Sequence, residues 1–69
     1  MAHKAEKLQK LRKWYENALS QHLRKNDAEK WDQLIKRLSE IISAEDIGNP
    51  AGVMPIALRY LDELERRAE

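Results

Sequence analysis

The chain has no cysteine and no phenylalanine, and its 69 residues include only two glycines and two prolines. Without cysteine, neither a disulfide nor a thiolate metal site is open to it, which fits a reducing compartment. A chain this short buries a marginal core, so with disulfides excluded its stability must come from helix packing or association. No apolar run approaches the roughly 18 residues of a membrane span. The N-terminal MAHKAEKLQKLRK also lacks the apolar segment of a signal peptide. The expectation is therefore a cytoplasmic protein that engages no membrane. No alternation of Val, Thr and aromatic residues marks a strand, and no hairpin turn, internal repeat or low-complexity segment is present.

What is there reads as helix. Hydrophobic residues at 42% are too many for a disordered tail, and charged residues at 36% give a polar surface. The net charge of +1 conceals an asymmetry: residues 1–37 carry net +5 and residues 38–69 carry net −4. A basic half beside an acidic half fits a nucleic-acid face, head-to-tail complementarity, or two solvated helix faces of opposite sign, the last being the simplest.

Three segments are predicted. The first helix covers about residues 4–25, with Leu8, Leu11, Tyr15, Ala18 and His22 at spacings of three and four and Trp14, Leu19 and Leu23 beside them. That face is wide enough for two neighbours. The second covers about 27–43, where Trp31, Leu34, Ile35, Leu38, Ile41 and Ile42 form a narrow stripe. Asn26 or Asp27 is its expected N-cap, and Asn26 with Glu29 has capping-box spacing. The third starts at Pro50 or Pro55 and ends near Arg67, since proline fits a first helical turn. Its face comprises Val53, Ile56, Ala57, Tyr60, Leu61, Leu64 and Ala68, with Met54 and Leu58 at the edge. The fold class is thus all-α, a small antiparallel three-helix bundle forming a single domain, with one extra short helical turn allowed for at 44–48. The wide first and third faces leave apolar surface for a protein partner or a second copy.

Candidate chemistry is sparse. Glu45 and Asp46 are adjacent, so on a helix they point about 100° apart, poor placement for acid–base work on one group. Helix-start chemistry after Ser43 explains them better. His22 falls within an apolar stripe, and His3 lies far from it near the terminus; with no cysteine they make a poor metal set. Gly48-Asn49-Pro50-Ala51-Gly52 lacks the spacing and the Lys-Ser or Lys-Thr of a phosphate loop. No catalytic residue, metal site or cofactor is assigned, and a non-enzyme is expected. The residues assigned to partner binding are Trp14, Tyr15, Met54, Leu58 and Tyr60, because aromatic residues and Met favour interface centres. A basic rim of Arg12, Lys13, Arg24 and Lys25 would steer an acidic partner. The alternative partner is nucleic acid, held by the basic N-terminal half. On a helical wheel those cations scatter, however, and Trp14 and Trp31 read better as core than as stacking platforms.

The segment Lys36-Arg37-Leu38 leading to Ser43-Ala44-Glu45-Asp46-Ile47-Gly48, then Pro50 and the apolar run Ile56 to Leu61, resembles one family. It is similar to the C-terminal helical region of the replication-associated recombination ATPases (RarA/MgsA-type, clamp-loader-like AAA+ proteins), and to small phage proteins that look like that fragment alone. The likeness spans residues 17–62; both the Leu38–Glu45 segment and the turn between the prolines are one residue longer here. It implies a helical assembly region without the ATPase, acting by oligomer formation or by docking onto a replication, recombination or phage–host regulatory complex, as regulator or inhibitor, and not by catalysis.

Overall fold

The computed structural model describes residues 3–69 (for His3, the backbone alone) and contains helices α1 (His3–Leu19), α2 (Ala28–Ile41) and α3 (Met54–Arg67). Among these residues there is no strand, and no helix is long and apolar enough to cross a membrane. Most of α1 is built from strong helix formers, Ala, Glu, Lys, Leu, Gln and Arg. At the start of α2, Asp27 is the N-cap: its side chain accepts from the Lys30 N–H at 3.2 Å. Asn26 is not the cap, and the predicted capping box with Glu29 is not formed. The third helix settles on the second proline. It begins at Met54 with Pro55 in its first turn, while Pro50 lies in the preceding turn. Arg66 and Arg67 in its last turn face the negative end of the helix dipole.

The first helix is shorter than its apolar pattern. It stops at Leu19, where Ser20 N–H reaches the carbonyls of Glu16 and Asn17, Gln21 N–H reaches Ala18, and Ser20 Oγ donates to Asn17 O at 2.7 Å. His22 then adopts φ of +50°, the left-handed region, and is exposed. His22 is therefore a turn residue and not part of the stripe. Its turn redirects the chain so that Leu23 enters the core from a loop. A left-handed residue with a Cβ is strained. We expect His22→Gly to raise stability by up to about 1 kcal/mol, read as a higher urea midpoint. A lower midpoint would assign His22 a contact that glycine cannot replace.

Packing places α1 between the other two helices, which barely touch each other. Trp14 meets Leu34, and Lys7 meets Ser43 and Asp46, so α2 runs antiparallel to α1. Lys4 meets Ala51, Tyr15 meets Tyr60, and Leu23 meets Glu69, so α3 runs parallel to α1. The bundle is up-down-up, each helix antiparallel to the one before it. Leu11, Trp14 and Ala18 of α1 join Leu34 and Leu38 of α2 and Val53, Ala57 and Leu64 of α3 in one core. The wide face of α1 is thus shared between two neighbours, with Leu19 at its end left exposed, and the other exposed large apolar side chains, Ile35, Ile47 and Leu58, lie elsewhere. At the far end the Glu69 N–H donates to Leu23 O at 3.2 Å and the Lys25 N–H donates to Glu69 O at 2.8 Å, clasping residue 69 to the α1–α2 loop.

Candidate functional site

The segment between α2 and α3 is a set of hydrogen-bonded turns, not a helix, so the extra helical turn expected at 44–48 is absent. Asp46 N–H donates to Ser43 O, Ile47 N–H to Ala44 O, and Asn49 N–H to Asp46 O. Gly48 takes φ of +75°, which glycine adopts without strain. Asn49 Oδ1 accepts from the Ala51 N–H at 3.0 Å, folding the chain toward Gly52. A Cβ on Gly52 would stand 3.2 Å from Asp46 Oδ1, so the backbone passes too close to that carboxylate for a side chain to be comfortable.

Asp46 is the centre of this segment, only 7% exposed. Its Oδ2 accepts from Lys7 Nζ at 2.8 Å, from the Ser43 N–H at 2.9 Å and from Ser43 Oγ at 3.1 Å; Lys7 also donates to Ser43 Oγ. The Lys7 ammonium and the Ser43 amide hold its carboxyl at a pKa of about 2, below the ordinary 3.8, against the opposing pull of burial. A carboxylate so fully engaged is a poor proton acceptor. Glu45, its chain neighbour, is exposed, and the two do not converge on one point. No helix starts after Ser43, so the helix-start reading of Glu45 and Asp46 does not hold; half of the arrangement is a local turn bond, the reach of Asp46 back to the Ser43 amide. The other half is an anchor to α1 that neighbouring residues could not reveal. Among the described residues no group of His, Asp or Glu is arranged to hold a metal ion.

The residues assigned to partner binding fall into separate places. Trp14 is corrected outright: it is buried at 6% exposure, and its indole N–H donates to Leu34 O at 3.0 Å, so neither its ring nor its polar edge is available to a partner. Tyr15 and Tyr60 do come together, stacked with ring centroids 4.6 Å apart and half-buried across the α1–α3 seam. They line a shallow cleft with Ile56, Arg59 and Glu63. Met54 and Leu58 also come together, lining an apolar groove with Pro50 and Pro55 that starts at Gly48 and Asn49. The basic rim is not one feature. Arg12 is exposed and turned to Glu16 at 3.2 Å, whereas Lys13 lines a groove on the α1–α2 side. Arg24 and Lys25 sit in the loop.

Two parts of the surface were missed by the sequence reasoning. Ile47, next to the apolar groove in the chain, is 65% exposed; its signal was an apolar residue stranded in a linker. The other is the composite α1–α2 groove, where Lys10, one of the N-terminal cations already considered for nucleic acid, joins Lys13 with the unassigned Asn17 and Arg37. The spacing of Lys10, Lys13 and Asn17 (i, i+3, i+7) marks one face of α1, but Arg37 comes from another helix and no single wheel contains it. No family model, curated protein or solved structure matches this chain.

Proposed function

We propose that this chain is a small, non-catalytic helical interaction module that docks onto a protein partner through the apolar groove at the start of α3. The observation that carries the reading is the lining of that groove. Pro50, Met54, Pro55 and Leu58 present a continuous apolar surface, Leu58 is 51% exposed, and Ile47 adjoins it in the chain. Large apolar groups gathered in one place cost solvation unless something covers them, and such patches mark contact surfaces. Methionine at the centre suits an interface because it adapts to the shape opposite. Two prolines and the Asp46 anchor hold the segment rigid, which lowers the entropy lost on docking.

The resemblance of Ser43–Gly48 and its surroundings to the helical region of recombination ATPases supports a place in a cytoplasmic DNA replication or recombination complex, or in its regulation by a phage protein. The groove lies within that same segment. The favoured occupant is an apolar segment of a protein in such a complex. A second copy of this chain is the competing occupant.

The test uses Leu58→Glu. The residue is exposed, so the substitution should change folding stability by no more than about 0.5 kcal/mol while abolishing capture of the partner from host lysate. Capture of one replication or recombination protein by the native chain, lost with Leu58→Glu, supports the reading. A mass that rises with concentration and is held monomeric by Leu58→Glu would reassign the groove to a second copy. A strict monomer whose captured proteins are identical with and without Leu58→Glu would overturn the reading.

A further inference from the structure

Several cations on the exposed helix faces are paired with an acid four residues away, whereas Lys10, Lys13 and Arg37, like Arg59 on α3, are not. Arg12 pairs with Glu16, Lys36 with Asp32, Arg66 with Asp62 and Arg67 with Glu63, all four residues apart. Lys10, Lys13 and Arg37 belong to no such pair, and their side chains make no hydrogen bond among the described residues. Residues four away from Lys13 are Gln9 and Asn17, and those four away from Arg37 are Gln33 and Ile41, none of them acidic. Glu6 lies four before Lys10 without bonding to it. These three cations line the same groove between α1 and α2, Lys10 and Lys13 from one wall and Arg37 from the other, with the neutral amide of Asn17 beside them. Glu40 is the groove's one carboxylate, leaving it net +2.

We propose that this groove binds the phosphate backbone of a nucleic-acid duplex, independently of base sequence. Lys10 and Lys13 lie on successive turns of one face, with Cβ atoms about 5–6 Å apart, a spacing that suits neighbouring phosphates of one strand. Arg37 meets that strand from the opposite wall with a planar fork that matches phosphate oxygens. Asn17 adds an uncharged donor. The groove has no aromatic face to offer a base. Trp14 forms its buried floor, and its N–H is already spent on Leu34. Single strands are gripped by stacking on such rings, so a groove without one favours the outward phosphates of a duplex. Acidic protein segments are the competing ligand for the same cations. This inference is independent of the protein-docking reading, because the two grooves share no lining residue.

The experiment is fluorescence anisotropy with a labelled DNA duplex of random sequence, titrated with the native chain, with Lys10→Gln/Lys13→Gln/Arg37→Gln and with Arg12→Gln. All the substituted residues are exposed helix positions, so the variants should keep the native circular dichroism and melting curve. Three neutralised phosphates predict a log–log salt slope of about −2.7. The triple variant should lose at least about tenfold in affinity at low salt and flatten that slope. Arg12→Gln and Leu58→Glu should bind as the native chain does. No binding at low salt, or binding that the triple variant retains, overturns the proposal. So does tighter binding of a single strand than of the duplex. Equal binding of polyglutamate with the same dependence on the three cations also overturns it and reassigns the groove to an acidic protein.

Discussion

Leu11→Ala is expected to lower the thermal midpoint by at least about 10 °C, since each kcal/mol moves a domain of this size by about 4–8 °C. Leu11 has no exposed surface, and it lies on α1, the helix that both others need. Truncating a buried leucine costs about 2–5 kcal/mol, from lost transfer energy and from the cavity left behind. A chain of this length has roughly 3–10 kcal/mol of total stability, so the loss is a large share of the whole. The position also matters. Because α2 and α3 scarcely touch, neither can hold the other when α1 loosens, and the two seams must fail together. The Trp14 and tyrosine near-UV signals should therefore vanish at the same temperature as the far-UV helix signal. Ile35→Ala, on the exposed side of α2, is the control and should cost far less. Equal melting of the two variants, or separate transitions for the two seams, would show that α1 is not the common support.

The helices were legible wherever propensity and pattern agreed. In α2, Leu34 and Leu38 are buried and Trp31, Ile41 and Ile42 pack against the core, as the narrow stripe required; Ile35, at its edge, is left exposed. The end of α1 misled because Leu23 is genuinely a core residue. It continues the spacing of three and four, yet reaches the core through a left-handed turn at His22, and periodicity reports burial without reporting the backbone path. Pro55 and Pro50 could not be ranked until the turn between them was seen. The turn from Asp46 to Gly52 is closed by the one bond that Asn49 Oδ1 accepts from the Ala51 N–H and by the tight approach of Gly52, neither of which is periodic.

The candidate surfaces were less legible for a different reason. A helical wheel shows what one helix offers, and both grooves are composite. The apolar one combines a turn with the first two turns of α3, and the basic one takes its cations from two antiparallel helices. The cations looked scattered because a wheel does not show side-chain pairing, which separates Arg12 and Lys36, neutralised by acids four residues away, from Lys10, Lys13 and Arg37. Trp14 erred in the opposite direction. Aromatic character drew it toward an interface, but its indole N–H found a backbone carbonyl inside the protein, which lets a tryptophan be buried without an orphaned donor. The two proposals together describe a bridge between a protein partner and a phosphate backbone, and each half can be tested by removing it without the other.

Acid should act on this protein through Asp46. The carboxyl titrates at about 2 in the fold, against an ordinary 3.8, with Lys7 the largest cause and the Ser43 amide the next. A depressed folded value means that the ionised form favours the fold. The contribution is therefore complete above about pH 5, declines as pH falls through the ordinary carboxyl range, and is gone below about pH 2. The bond it supports joins residues 39 apart in sequence, Lys7 in α1 and Asp46 in the α2–α3 segment. Its loss should free that segment from α1 and with it the geometry of the apolar groove. Asp46→Asn keeps an acceptor but discards the charge. We expect it to lower the neutral-pH midpoint by more than loss of a solvent-exposed pair such as Arg12–Glu16 does. The gap between native and Asp46→Asn midpoints should close as pH is taken from 6 to 2, and Lys7→Met should reproduce both effects without adding to them. Salt should narrow the gap only slightly, because the pair is largely shielded from water, with side chains 27% and 11% exposed. A gap that stays constant with pH, or additive losses from the two substitutions, would mean that the turn is held by its backbone bonds alone and that the Lys7–Asp46 bond is incidental to the fold.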